Sequence, residues 1–123
     1  MNNMKEQVKI PRIYIDLLDQ VFEIEKKLEL INEPNSIARN ISKMKEVFEN
    51  AFGSITETDI GLLYHNPIGE AYSETRTDLE ASIAGSLTTN LVVTEVIKPI
   101  IRFRSGGVNM IARKGVVVVA SKK

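Results

Sequence analysis

The chain has 123 residues, 16 Lys and Arg against 16 Asp and Glu, 43% hydrophobic and 26% charged residues, and no cysteine. These values fit one ordinary globular domain, or two small lobes, and argue against a collagenous or disordered chain. Without cysteine there is no disulfide framework and no thiolate site. No apolar run reaches the length of a membrane span and the N-terminus has no signal-peptide core, so a cytoplasmic protein is expected.

Charge is unevenly spread. Residues 1–59 hold 8 basic and 11 acidic side chains, residues 60–123 hold 8 and 5, and from Lys98 onward there are seven basic residues and no acidic one. A basic face can serve an anionic partner, and equally it can be a solvated strand face.

Residues 1–10 read as a frayed tail. Pro11 suits a helix start. Apolar positions then fall at Leu17, Val21, Ile24, Leu28 and Ile31, a 4-3-4-3 spacing that makes a bundle-like seam, widened by Leu18 and Phe22. Asn32-Glu33-Pro34-Asn35 interrupts the helix, and Asn35 or Ser36 can cap the next one. The second helix repeats the seam at Ile37, Ile41, Met44, Phe48 and Ala51 and stops by Gly53. So short a connection favours an antiparallel hairpin. Two stripes this wide need a further surface. A second hairpin from another copy would supply it as a four-helix bundle; the alternative is that the helices fold back on the chain's own sheet.

From residue 54 the pattern changes. Ile60–Tyr64 and Leu79–Ala84 are short strand candidates, separated by a turn at His65-Asn66-Pro67 and a polar loop. Leu91–Arg104 reads as one long strand, with Leu91, Val93, Ile97, Ile101 and Phe103 on one parity and Thr94, Lys98, Arg102 and Arg104 on the other. Pro99 within it requires a bend, a bulge or an edge. Ser105-Gly106-Gly107 and Lys114-Gly115 are turns. Val116–Val119 is apolar at both parities and should be covered on both faces. The fold class expected is α+β: an N-terminal helical hairpin over residues 11–53, forming half of a dimeric bundle, followed by a small, mainly antiparallel β-domain over 54–123.

The residues supply no catalytic constellation. His65 stands alone, without the convergent ligands of a metal site or the partners of a triad, and reads as a surface turn residue. Gly106-Gly107 lacks the helix and the Lys-Ser/Thr pair of a phosphate loop. Lys98, Arg102 and Arg104 could touch phosphates, but no aromatic shares their parity, so nucleic acid is a poor fit. The chain is therefore not read as an enzyme, and no cofactor is expected.

The order of elements resembles GrpE, the nucleotide exchange factor of DnaK-type chaperones. Leu17-Leu18 through Leu28, with Glu25-Lys26, is similar to that family's first bundle helix. Met44–Gly53 is similar to the second. Ile68-Gly69-Glu70-Ala71-Tyr72 resembles its G-x-P-F stretch, Glu80-Ala81 its following Glu-Ala, Val93-Thr94-Glu95-Val96-Ile97 its V-x-E-V-L, and Arg113–Val119 its closing R-P-A-x-V-x-V. The likeness spans about residues 13–121. The family's long N-terminal coiled coil has no counterpart here, and the segment between Tyr72 and Glu80 is longer and lacks the family's Asp-Pro and His. The resemblance implies a homodimeric co-chaperone that pairs through Leu17, Val21, Ile24, Leu28, Ile37, Ile41, Met44 and Phe48. It implies contacts to the chaperone's nucleotide-binding domain through Glu25, Lys26, Gly69, Tyr72, Glu80 and Arg113. The competing expectation is a scaffold of the same shape without exchange activity.

Overall fold

A computed structural model describes residues 10–31, 36–53 and 60–122. The first helix, α1, spans Arg12–Glu29 and the second, α2, spans Ile37–Glu49. Pro11 occupies the N-cap position of α1 and Lys26 and Lys27 lie in its last turn, where cations face the helix C-terminus favourably. Ser36 is the N-cap residue of α2 but makes no side-chain capping bond. That helix ends at Glu49, four residues before Gly53; Asn50 closes it by donating from Nδ2 to the Glu46 carbonyl at 3.1 Å. The expected capping by Asn35, the helix break at 32–35, most of the N-terminal tail and the 54–59 linker lie outside the described residues.

Six strands follow: β1 Ile60–His65, β2 Leu79–Ile83, β3 Leu91–Lys98, β4 Ile100–Ser105, β5 Val108–Arg113 and β6 Gly115–Ser121. They form two three-stranded sheets, β1-β4-β5, which is antiparallel, and β2-β6-β3, in which β2 runs parallel to β6 and β3 antiparallel to it. The protein is thus α+β with mixed sheets. The stretch read as one strand from Leu91 to Arg104 is two. At Pro99, which has no N–H to donate, the chain leaves the second sheet as β3 and enters the first as β4. At Lys114 it crosses back, from β5 to β6. The two crossings are adjacent: a Cβ on Gly115 would lie 3.0 Å from Ile100 Cγ1 and 3.0 Å from Leu79 Cδ2.

Register shifts between Val93 and Glu95 and between Val96 and Lys98 mark irregularities in β3. Beyond the first of them the side-chain parity reverses, since an extra residue rotates every later side chain to the other face. Val96 is therefore buried and Ile97, expected inward, is exposed. In β6, Val117 and Val119 are fully buried while Val116 and Val118 are half-buried, so one face is sealed and the other only partly covered.

The helices do not stand apart from the strands. Leu18, Val21 and Ile41 share a buried cluster with Leu62 of β1 and Ile101 of β4, and Ile10, Tyr14, Leu28, Phe48, Phe52 and Phe103 pack around it. Ile10, read as the end of a loose tail, belongs to this packing. Phe22 reaches further, into the cluster of Leu79, Leu91, Val93, Val96, Ile100, Val117 and Val119. Burial of such a side chain stabilises by about 1.5–3 kcal/mol, and these contacts weld α1 to both sheets. The seam expected to face a second copy is divided: Val21 and Ile41 lie inside the chain's own core, Leu28 and Phe48 are half-buried against it, and Leu17, Ile24, Ile37 and Met44 remain exposed.

Arg113 locks this arrangement. Its guanidinium donates to both carboxylate oxygens of Asp19 at 2.7 and 2.8 Å and to the Pro99 carbonyl at 2.7 Å. One side chain thus ties α1, the end of β5 and the β3–β4 crossing together. At the other end, the α2 exit sits directly on β1. A Cβ on Gly61 would fall 2.1 Å from the Phe48 carbonyl oxygen and 2.4 Å from that of Glu49, and Phe52 N–H donates to Ile60 O at 2.9 Å.

Two outcomes are expected. Gly61→Ala forces backbone apart and lowers unfolding free energy by about 3 kcal/mol or more, against under about 1 kcal/mol for an alanine at an unconstrained site; urea melts measure it. A double-mutant cycle of Asp19→Ala and Arg113→Ala gives a coupling energy of about 1.5–3 kcal/mol, as for a bidentate, partly buried charged pair; a coupling near zero would show that the clamp does not hold the helix.

Candidate docking surface

β1 ends at His65, and the segment from Asn66 to Asp78 leads to β2. Its first part is a tight turn. Ile68 N–H donates to Asn66 Oδ1 at 3.1 Å, and Glu70 N–H donates to Pro67 O at 3.0 Å. Gly69 occupies the third position with φ of 81°, the left-handed conformation that a type II turn requires there and that other residues adopt only with strain. Pro67 is buried beneath, and Ile68 projects from the apex, 52% exposed.

The chain then runs as a strap along β3. Gly69 N–H donates to Val93 O at 2.8 Å, Val93 N–H to Glu70 O at 2.9 Å and Tyr72 N–H to Leu91 O at 2.9 Å, with a bridge between Ala71 and Val92. The strap covers the outer edge of the second sheet. Tyr72 turns inward and packs against the core cluster under it.

A five-residue polar network fixes the strap to the first sheet. His65 Nε2 lies 2.6 Å from Glu70 Oε2, and Arg102 donates to His65 Nδ1 at 3.2 Å and to Asp78 Oδ2 at 3.2 Å. Arg76 forks onto both oxygens of Asp78 at 3.0 Å, and also donates to Glu70 Oε1 at 3.1 Å and to the Ala71 carbonyl at 3.0 Å. Because a guanidinium can only donate, His65 Nδ1 accepts, and the imidazole carries its proton on Nε2, facing Glu70. Two carboxylates and two guanidiniums balance around a neutral ring. His65 is thus a half-buried structural centre and not the isolated turn residue that the sequence suggested. The clue was present in His65, Glu70, Arg76 and Asp78, but Arg102, which closes the ring of contacts, comes from a distant strand.

The network perturbs its members. The Arg76 hydrogen bonds hold the Asp78 carboxyl below the usual range against the upward pull of burial. Partial burial pushes Glu70 upward, and the His65 and Arg76 contacts outweigh it, so its carboxyl also sits low. Arg76 is raised, chiefly by Asp78. A second cluster lies at the helix interface. Tyr64 O–H donates to Glu25 in a short hydrogen bond, Lys45 Nζ donates to Glu25 Oε2 at 3.2 Å, and Lys45 sits 5.0 Å from the centre of the Tyr64 ring. Burial, then the Glu25 hydrogen bond and charge, raise Tyr64 far above an ordinary phenol. It stays protonated and serves as a donor, not as a nucleophile.

The six residues expected to meet a partner therefore fall into two sets. Gly69, Tyr72 and Glu80 lie at the strap and the neighbouring strand β2. Glu25, Lys26 and Arg113 lie at the helix–sheet boundary and are engaged within the chain: Glu25 with Tyr64 and Lys45, Lys26 with the Val96 carbonyl at 3.3 Å, Arg113 with Asp19. The two arginines of the basic strand face are similarly occupied, while Lys98 is exposed. Arg102 binds Asp78 and His65, and Arg104 lies 3.7 Å from Glu49. Beside the strap a shallow cleft of about 640 Å³ opens between Tyr72, Ala81, Ile83 and Leu91, with Glu74 and Thr88 on its rim. Among the described residues no group of three or more His, Cys, Asp or Glu could hold a metal ion, and no helix is long and apolar enough to cross a membrane.

No family model, curated protein or solved structure matches this chain.

The depressed carboxyls set a pH dependence. A group whose folded pKa lies below its unfolded value contributes stability above the unfolded value, about 4 for Asp and Glu, and loses it as pH falls through the folded one. The melting temperature should accordingly drop as pH is lowered from about 5 toward 2. In the Glu70→Gln/Asp78→Asn double variant, which lacks both groups, the curve should be lower at neutral pH and flatter in acid.

Proposed function

We propose that this chain is a GrpE-like docking protein that binds the nucleotide-binding domain of a DnaK-type chaperone and speeds the loss of ADP. The reading rests on one observation above all. One stretch of the resemblance, Ile68 to Tyr72, is a pre-shaped turn and strap, held by three backbone hydrogen bonds and the His65–Arg76 network, with an apolar residue at its tip. A surface ordered before binding loses little conformational entropy on docking. The element order supports it too: two helices, then six short strands. Binding would act by favouring the open form of the chaperone's domain, since a partner moves an equilibrium only by its differential affinity for the two forms.

In this reading a homodimer forms along the exposed helix strip of Leu17, Ile24, Ile37 and Met44, which carries the outer half of the seam. Val21 and Ile41 serve the chain's own core and take no part. One observation favours the alternative of a docking scaffold without exchange activity: Glu25, Lys26 and Arg113 already have partners within the chain.

Release of labelled ADP from a DnaK-type chaperone tests the proposal. Saturating protein should speed release about tenfold or more, as for a coupling free energy of about 1.4 kcal/mol or more. Ile68→Glu should remove most of that gain while leaving the melting temperature unchanged. Binding without acceleration would leave the scaffold reading standing, and absence of both would end the chaperone proposal.

A further inference from the structure

The sheet edges are unequally protected. The strap covers the outer edge of β3, and the α2 exit lies over the start of β1. β2 is the terminal strand of the second sheet, in the order β2-β6-β3. Two hydrogen bonds fix which of its residues face β6: Gly115 N–H donates to Asp78 O at 3.0 Å, and Ala84 N–H donates to Val119 O at 2.8 Å. In a parallel ladder the residues that bond a given neighbour alternate. Asp78, Glu80, Ser82 and Ala84 therefore point their peptide groups at β6, and Ala81 and Ile83 point theirs outward. The strand carries no proline or lysine, and no register shift interrupts its pairing with β6. These are the devices that commonly close an edge.

The same two residues line the 640 Å³ cleft with Tyr72 and Leu91. A strand laid against β2 would hydrogen-bond to Ala81 and Ile83 and turn alternate side chains into that cleft, the combination that gives strand addition both affinity and specificity. Glu74 lines the cleft, Glu80 is exposed on the other face of β2 beside the same edge, and no Lys or Arg occurs from Thr77 to Ile97.

We infer that the outer edge of β2, with the Tyr72–Ile83 cleft, is a strand-addition site for an extended segment of another protein, apolar at alternate positions and carrying a basic residue. The assignment does not depend on the chaperone reading, which uses the strap turn.

The test uses the full chain and a synthetic capped peptide of about eight residues, alternating Val and Thr with one central Lys, the length of a long strand. Nuclear magnetic resonance follows the amides of Ala81 and Ile83. In the free protein they should exchange rapidly. Peptide should shift their resonances and slow their exchange by about tenfold. Methylating alternate peptide nitrogens should abolish binding. Replacing the central Lys by Glu should weaken it about threefold at low salt, with the difference fading as salt rises. Ala81→Pro removes an outward N–H without touching the ladder to β6 and should block binding. Glu80→Lys, which leaves the backbone alone, should reverse the preference between the Lys and Glu peptides and keeps the test open should the proline variant fail to fold. The inference is overturned if millimolar peptide leaves both amides unmoved, or if they are already protected in dilute free protein. Protection that grows with protein concentration alone would assign the edge to a second copy and overturn it equally.

Discussion

The arrangement depends on how Arg113 is satisfied. Two strand crossings, at Pro99 and Lys114, carry the chain between sheets, and a crossing leaves backbone polar groups without ladder partners. The Pro99 carbonyl is one of them, and the Arg113 guanidinium answers it while gripping Asp19 of α1. A buried carbonyl left alone costs free energy comparable to a lost hydrogen bond, and a buried guanidinium without a carboxylate costs more. Nη1 and Nη2 meet these needs together, while Arg113 Nε stays buried without a hydrogen-bond partner among the described residues. The clamp therefore acts as a joint that ties α1 to the end of β5 and to the β3–β4 crossing, where the chain passes between the sheets.

That joint explains why the apolar seam of α1 is shared between inside and outside. With Asp19 held at the crossing, the neighbouring turn presents Leu18, Val21 and Phe22 to the strands. Leu17 and Ile24, displaced around the helix, look away. A 4-3 repeat states that a helix has an apolar face; it does not name what covers that face. The off-seam residues Leu18 and Phe22 were the informative ones, because they widened the stripe toward a second surface, and that surface is the chain's own core.

The same distinction governs what could be read elsewhere. The break at Pro99 was legible because a missing N–H is a property of the residue. The reversal of burial from Ile97 to Val96 was not, because nothing in Val93-Thr94-Glu95 announces an irregularity and one extra residue turns the next side chains to the other face. The stretch around Gly69 was legible as a likeness to a family loop, with its glycine kept. The network below it was not, because Asp78 and Arg102 become neighbours only once the two sheets are joined. Arg113 was legible as a residue of consequence, but its partner Asp19 lies far away in sequence, and the same guanidinium suits a partner's surface or its own chain.

The polar groups of the strap follow a single logic. They hold the turn and its apolar tip in one shape from within the chain. Backbone bonds to β3 fix one side, and the balanced set of Glu70, Arg76, Asp78 and Arg102 around a neutral His65 fixes the other. Those bonds also take up the outer edge of β3, so the segment that shapes the turn also blocks one route to aggregation. Among the described residues, no backbone hydrogen bond takes up the outer edge of β2. Its exposed edge lies across the sheet from the strap, and the cleft between them places Tyr72, whose backbone belongs to the strap, against the side chains of β2. Tyr72 thus belongs both to the strap, through its amide on Leu91 O, and to the wall of the cleft.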